Sequence, residues 1–166
     1  MREVVVRIEF MTPCLGNLKK VMKSNRGGDW TVYYLPRTPD GQVRLEQAWW
    51  SGKLSFAAEV LCRHQRDIKY VTFEVAVDGK ANDKINKFYK RYITGKRYVR
   101  HECFAPGEVI GVNCVVPSSI PNDDFWRIME NVGKFRGISP FGKREDGFGH
   151  FKVVSVMDKK REDAKA

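Results

Sequence analysis

The chain alternates between two hydrophobic periodicities, and the order in which they occur is what most constrains its fold. In the first segment the apolar residues fall at every second position, at Val4, Val6, Ile8 and Phe10, and the pattern ends before Pro13. An alternation rich in β-branched and aromatic residues predicts a β-strand with one buried face. The first element is therefore predicted to be a strand.

Three later segments have the same strand character. Residues 69–77 alternate and end at a turn pair, Asp78-Gly79. Residues 108–116 carry apolar side chains on both faces, which is typical of a central strand. Residues 150–156 form the last predicted strand. A short hairpin is also expected around residues 31–34.

Helical spacing marks a segment at residues 45–65, where apolar positions recur every three or four residues. The stripe consists of Leu45, Trp49, Gly52, Phe56 and Val60, widened by Ala57, Leu61 and His64. We expect Trp49 to lie in the core. Its neighbour Trp50 would then point away from the core stripe, where it would cover residues 17–44 or face a partner or a base.

A second helix is predicted to begin at Pro121-Asn122, because proline suits the first helical turn and asparagine can cap it. Asp123 and Asp124 suit the positive end of the helix dipole, so we interpret them as a helix start and not as a metal site. The buried stripe is predicted to comprise Phe125, Ile128, Met129, Val132 and Phe135.

The resulting order is βαββαβ, which predicts an α+β, ferredoxin-like fold. Its four-stranded antiparallel sheet would have both helices on one face, leaving the other face for insertions or a ligand. We expect a single domain over residues 1–157, with basic insertions at about 17–44 and 80–105. Residues 158–166 are predicted to be a flexible charged tail.

The net charge is +10 and the pI about 9.6, an excess of positive charge that favours polyanionic partners such as nucleic acid. No apolar run approaches the length of a membrane span, so we expect no membrane contact. The N-terminal residues show no export signal, which predicts a cytoplasmic location. The four cysteines match no metal-binding spacing, and we expect neither a metal nor a cofactor.

The most specific motif is a glycine-rich loop at residues 136–150. Glycines allow positive φ angles and close approach of a ligand, so successive backbone N–H groups can face a phosphate. The predicted nucleic-acid-binding residues of this loop are Arg136, Gly137, Gly142, Lys143, Arg144, Gly147 and Gly149. The alternative interpretation is a glycine-rich hairpin or a helix stop.

The insertion at residues 80–105 interleaves cations with aromatic residues, which can contact phosphates and stack on unpaired bases. Its predicted nucleic-acid-binding residues are Lys84, Lys87, Lys90, Arg91, Lys96, Arg97 and Arg100. The alternative is an exposed amphipathic helix in which Ile85, Phe88, Tyr89 and Tyr92 pack inward while the lysines remain in solvent.

Catalysis has little support in the sequence. His101 and His150 are weak candidates for moving a proton during RNA cleavage, because they flank or lie within the two basic segments. A histidine in a basic loop is more often a simple binding residue. We therefore expect binding without turnover, with a metal-independent endoribonuclease as an alternative.

The glycine-rich loop followed by the strand motif Gly147-Phe148-Gly149-X-Phe151 resembles the RAMP superfamily, the RNA-binding proteins of CRISPR effector complexes. Residues 7–16 are similar to that family's first strand, which ends in a Pro-X-X-Gly turn. The resemblance implies that the loop grips the RNA backbone. Ser139-Pro140-Phe141 before Gly-Phe-Gly is also similar to loops of small phage and prophage proteins, which implies a phage origin.

The sequence therefore predicts an RNA-binding protein that prefers single strands. It would act as a subunit of a ribonucleoprotein complex, with other protein subunits or with further copies of itself. The alternative from another class is a phage-encoded inhibitor that mimics a RAMP subunit and blocks a host defence complex.

Overall fold

The computed structural model describes residues 1–23, 28–39, 41–76, 87–138 and 147–159. Within these ranges the chain forms nine strands and two α-helices. In chain order they are β1 (Arg2–Phe10), β2 (Cys14–Leu15), β3 (Leu18–Lys23), β4 (Asp29–Tyr34), α1 (Ser51–Val60), β5 (Thr72–Ala76), β6 (Phe88–Thr94), β7 (Arg97–Phe104), β8 (Val109–Val116), α2 (Asn122–Phe135) and β9 (Phe151–Asp158).

The first sheet has the strand order β5-β8-β1-β9, and every neighbouring pair is antiparallel. This order is that of a ferredoxin-like fold, so the predicted α+β class is confirmed. Val4, Val6, Ile8 and Phe10 of β1 are all fully buried, as their alternation predicts. β8 lies between β1 and β5, which confirms the central strand predicted from its two apolar faces.

The second helix packs closely on the first sheet. Gly133 of α2 touches β9, where a Cβ atom would overlap the backbone and ring of Phe151. Phe125, Ile128, Met129 and Val132 are fully buried, as predicted. Phe135, the last residue of α2, was expected in the same stripe but is 53% exposed.

The start of α2 differs from the prediction in one detail. Pro121 occupies the N-cap position, and no side chain caps the helix. Asn122, the predicted cap, instead accepts a hydrogen bond of 2.7 Å from the Arg2 guanidinium. Asp123 and Asp124 do lie in the first turn, where Asp124 pairs with His64 at 2.8 Å.

The first helix is shorter than the predicted 45–65. A 3₁₀ turn at Gln47–Trp49 precedes α1, and Cys62 and His64 adopt left-handed backbone angles after it. The prediction for Trp50 was wrong, since Trp50 is fully buried and Trp49 is 5% exposed. Trp49 ends the 3₁₀ turn and Trp50 lies between that turn and α1, so the two residues do not belong to one continuous helix and the argument from a single helical stripe does not apply to them.

The strand predicted at 69–77 also begins later than expected. Ile68–Tyr70 forms a second 3₁₀ turn, and β5 begins at Thr72. Phe73 faces the core, where its ring stacks on Trp50 with centroids 4.2 Å apart. Val77 lies outside the described residues.

The two predicted insertions pair with each other in a second sheet. Its path is β2-β7-β4-β3, and β6 pairs with β7. β3 and β4 form the hairpin expected around residues 31–34. The alternative interpretation of residues 80–105 as an amphipathic helix is wrong over 88–104. There β6 and β7 form a hairpin, which turns at Gly95 with a φ of +55°. Residues 80–86 lie outside the described ranges.

Aromatic packing joins the two sheets. Phe10, at the end of β1, stacks on Phe104 of β7 with centroids 5.3 Å apart. Gly16, just after β2, lies against the backbone of Tyr34, where any side chain would clash. The hairpin of β6 and β7 is therefore held against the ferredoxin-like sheet by buried contacts. Among the described residues, no helix is long and apolar enough to cross a membrane.

Candidate nucleic-acid interface

One side of the second sheet brings together cations and aromatic rings from both insertions. Lys90 lies opposite Arg100, and Tyr92 lies opposite Tyr98, so these four side chains share a face. Val32 of β4 lies beside Arg100, and Trp30, two residues earlier, shares the face of Val32. We call Trp30, Lys90, Tyr92, Tyr98 and Arg100 the basic aromatic face.

The cations of the basic aromatic face lie over rings. The Arg100 guanidinium is 5.7 Å from the ring centroid of Trp30 and 5.9 Å from that of Tyr98. The Lys90 ammonium is 4.9 Å from the Tyr98 centroid. Cation–π contacts hold the charges in place while leaving them positive. These positions suit a ligand that has both negative charge and flat rings.

A groove of about 580 Å³ opens beside this face, between the start of β4 and the tip of the β6–β7 hairpin. Its lining includes Trp30, Lys96, Arg97, Tyr98 and Arg100, with Asp29 as the acidic member. Its volume falls in the usual range for small-ligand sites. The groove is therefore large enough for a nucleotide.

The positive field also acts on Tyr98. The pKa of this phenol is lowered, first by a hydrogen bond from Arg100 and then by the charges of Lys90 and Arg100. A lowered phenol pKa indicates that the surroundings stabilise negative charge. A phosphate placed near this tyrosine would experience the same field.

The predicted cations of the 80–105 insertion lie in different surroundings. Lys90, Lys96, Arg97 and Arg100 lie on or beside the groove. Lys87 forms an ion pair of 2.7 Å with Glu108. Arg91 lies on the opposite face of the hairpin, where its Nε donates to His101. Lys84 lies outside the described residues.

His101 is a buried histidine, with no exposed surface. Its Nδ1 donates to the Gly16 carbonyl at 2.8 Å, its Nε2 accepts from Arg91 at 3.0 Å, and its ring stacks on Tyr33 at 4.6 Å. The pKa of the imidazole is lowered, mainly by burial. The hydrogen bond to the Gly16 carbonyl raises the pKa, and the nearby Arg91 charge lowers it further. Both ring nitrogens are thus used within the protein.

The glycine-rich loop is described at its two ends. Gly137, with a φ of +69°, lies against the Phe148 carbonyl, and the Ile138 N–H donates to the Gly149 carbonyl at 3.1 Å. The Gly149 N–H donates to the Pro13 carbonyl at 2.8 Å. These bonds close the base of the loop. Gly142, Lys143 and Arg144 fall in 139–146, outside the described residues.

The remaining loop residues have separate environments. Gly147 has a φ of +62° and open space around its Cα. The Arg136 guanidinium lies 3.7 Å from the ring centroid of Phe56 on α1. His150 donates from Nδ1 to the carbonyls of Gly133 and Lys134, at 3.0 and 3.1 Å, and so caps the end of α2. This histidine holds the loop's exit in place.

The glycine-rich loop and the hairpin touch each other. Tyr89 of β6 meets Phe148 edge to face, with ring centroids 5.2 Å apart. The two basic segments predicted from the sequence are therefore neighbours in space. Their arginines do not meet, because Arg100 lies over Trp30 and Arg136 lies over Phe56. Within the described ranges, no three histidine, cysteine, aspartate or glutamate side chains gather into a metal-binding group.

Trp30 is the member of this surface that sequence reasoning missed. It directly precedes the strand pattern at residues 31–34 and follows a Gly-Gly turn. Trp30 alternates with Val32 and Tyr34, and residues at such spacing share one face of a strand. This alternation could have extended the predicted strand to include Trp30. That signal could not reveal that β4 pairs with β7.

No protein-family model and no curated protein matches the sequence. Solved structures do match the fold. A chain of the type III-B Cmr-β complex, determined by cryo-EM bound to cognate target RNA, has a TM-score of 0.59 at 14% identity, covering 95% of this chain and 61% of that one. A chain of a type IV-B CRISPR complex has a TM-score of 0.51 at 8% identity, covering 95% of this chain and 91% of that one.

This chain therefore has a fold that occurs in CRISPR complexes, and it spans 61% of the type III-B chain it resembles. At these identities the likeness concerns the fold.

Proposed function

We propose that this protein is an RNA-binding subunit of a ribonucleoprotein complex, related in fold to the RAMP proteins, and that it binds single-stranded RNA. The observation that carries the proposal is the basic aromatic face, where cations and rings from two distant segments meet on one exposed surface. Cations supply affinity for any phosphate backbone, and rings favour strands whose bases are unpaired.

The charges of this surface support contact with phosphates. Lys96 and Arg97 are exposed at the hairpin tip, and Arg100 is half-buried between two rings. The nearby acidic Glu102 is 3% exposed and already bound to Arg37 by two hydrogen bonds of 2.8 Å. It therefore adds little repulsion toward an approaching anion.

In this proposal the glycine-rich loop is a second contact for the RNA backbone. Its base is closed by backbone hydrogen bonds, and Phe148 contacts Tyr89 on the face of the hairpin opposite the basic aromatic face, so the loop would bind the backbone at a position separate from the groove. The roles of Gly142, Lys143 and Arg144 rest on the sequence motif. We further propose a cytoplasmic location, because all four cysteines are free thiols and thiols stay reduced there.

A binding assay with charge reversal tests the proposal. The variant Lys96→Glu/Arg97→Glu changes two exposed cations of the groove, and Arg66→Glu/Lys69→Glu makes the same change in net charge at exposed positions before β5. Affinity for a short single-stranded RNA is measured at several salt concentrations. Each lost phosphate contact should reduce the slope of log K against log salt by about 0.7.

We expect the groove variant to lose affinity and salt dependence, while the control variant changes little. Equal losses in both variants would indicate non-specific attraction to a basic protein. If the unmodified protein forms no complex with RNA even at low salt, the proposed function is wrong.

A second candidate is a protein-interaction module that takes the place of a subunit in a host complex, such as a phage inhibitor. The observation in its favour is that the fold covers 91% of a chain of the type IV-B CRISPR complex. A pull-down with and without nuclease distinguishes the two candidates, because a partner held through RNA is lost on nuclease treatment and a direct partner is kept.

The proposal does not include RNA cleavage. His101 is buried with both ring nitrogens bonded, and the Nδ1 of His150 is bonded to the end of α2. A general base must reach the proton that it removes. The contacts of these two histidines support structural roles.

A further inference from the structure

We infer that the groove between β4 and the β6–β7 hairpin binds an unpaired nucleobase, with Trp30 as the surface on which the base stacks. The inference rests on the proposed RNA-binding function and adds a base-contacting position to it. Cations alone would bind single strands and duplexes by their phosphates. A stacking site admits a base only when it is unpaired.

Trp30 differs from the other tryptophans in its surroundings. It is 43% exposed, whereas Trp49 is 5% exposed and Trp50 is fully buried. Trp126 is packed partly buried against the core. Trp30 is therefore the exposed indole of the chain, and it lies on the wall of the groove.

The ring of Trp30 is held in position before any ligand arrives. The Arg100 guanidinium lies 5.7 Å from its centroid, and the same guanidinium lies 5.9 Å from Tyr98. Trp30 also belongs to β4, which pairs with β3 on one side and β7 on the other. A stacking platform fixed in this way loses little conformational freedom on binding.

The charges around the groove match a nucleotide better than they match an isolated aromatic compound. Lys96, Arg97 and Arg100 line it together with Trp30 and Tyr98, so phosphates on either side of a stacked base would meet cations. Asp29 is the acidic lining residue. An acidic peptide would use the cations but would leave both rings without a stacking partner.

The test uses the full chain and two substitutions of one residue. Trp30→Ala removes the ring, and Trp30→Phe keeps a smaller one. Tyr70→Ala is the control, because Tyr70 is 53% exposed, lies before β5 and does not line the groove. Affinities are measured for oligo(U), for oligo(dU) and for a duplex RNA of the same length, and circular dichroism checks the fold of each variant.

We expect Trp30→Ala to weaken binding of oligo(U) by about 5- to 150-fold, the range that corresponds to the loss of one stacked base. Trp30→Phe should lose less, and Tyr70→Ala should bind like the unmodified protein. Binding of the duplex should be unaffected by either Trp30 substitution. Oligo(U) should also quench the tryptophan fluorescence of the unmodified protein, and Trp30→Phe should abolish that quenching.

The outcomes separate this inference from the function on which it rests. Equal binding of oligo(U) by Trp30→Ala and the unmodified protein would overturn the stacking site and leave RNA binding intact. An equal loss for duplex RNA would also overturn it, because the ring would then act through Arg100 and the phosphates. If the unmodified protein binds no oligonucleotide, both proposals are wrong. A preference between oligo(U) and oligo(dU), which differ only in the 2′-hydroxyl of each sugar, identifies which nucleic acid supplies the base.

Discussion

The Arg37 guanidinium binds the Glu102 carboxylate through two hydrogen bonds of 2.8 Å, and Glu102 is 3% exposed. The same carboxylate accepts the Leu35 N–H at 3.0 Å. This pair ties the segment after β4 to the middle of β7, across 65 residues of sequence. It therefore fixes the position of the strands that carry Trp30 and Arg100.

Substitution Arg37→Ala should destabilise the protein, because it leaves the Glu102 carboxylate buried without its cation. Removing one partner of a buried ion pair typically costs about 3–5 kcal/mol, and we expect about 3 kcal/mol because the Arg37 side chain is partly exposed. Urea unfolding measures the change. The control is Lys87→Ala at the exposed pair with Glu108, which should cost at most about 1 kcal/mol. Equal losses of stability in the two variants would mean that the Arg37–Glu102 pair stabilises the protein no more than an exposed ion pair does.

The core position of Trp50 makes a second prediction. Trp50→Ala should cost about 3–5 kcal/mol, because it empties a buried site and removes the stack on Phe73. Phe135→Ala, at a position 53% exposed, should change the free energy of unfolding by no more than about 0.5 kcal/mol. Denaturant unfolding of both variants tests the burial pattern, and a small effect at Trp50 would contradict it.

Gly137 is predicted to be essential to the base of the glycine-rich loop. Gly137→Ala should destabilise by about 1–3 kcal/mol, because φ is +69° and a Cβ would clash with the Phe148 carbonyl. Gly52→Ala is the matched control. Gly52 lies in α1 with open space around it, so alanine there should stabilise by up to about 1 kcal/mol. Thermal unfolding should show opposite signs for the two variants.

The pH dependence of stability follows from His101. Burial lowers the pKa of this imidazole below its ordinary value of about 6.5, so the unfolded chain binds a proton more readily than the folded one. Above pH 6.5 the neutral His101 makes its full contribution to the free energy of unfolding. That contribution is lost as the pH falls below 6.5 toward the pKa of the folded state. The stability difference between the unmodified protein and His101→Gln should therefore shrink between pH 8 and pH 5. A difference that stays constant would show that His101 does not titrate as a buried neutral group.

Local patterns were sufficient for much of the fold. The structure confirms three elements that were predicted from how each one packs on the core. They are β1, from its alternation, β8, from its two apolar faces, and α2, from its apolar stripe. Predictions failed where a neighbour in space decided the outcome. Trp50 is buried because a 3₁₀ turn precedes α1 and Phe73 offers a ring to stack on.

The candidate site shows the same division. Lys96, Arg97 and Arg100 were predicted from a run of cations and tyrosines, and the structure places them at one groove. The hairpin form of that run was missed, because alternating basic and aromatic residues also fit an amphipathic helix. In the structure β6 pairs with β7 from Phe88–Glu102 to Thr94–Arg97, and β7 also pairs with β4.

The sequence by itself determined the order of the four strands and two helices of the ferredoxin-like unit, its fold class and the basic charge, because periodicity and composition are local properties of the chain. Only the tertiary structure brought Trp30 to Arg100 and buried His101 and Glu102. Those contacts join segments about 70 residues apart, and their pairing depends on packing that no local pattern encodes.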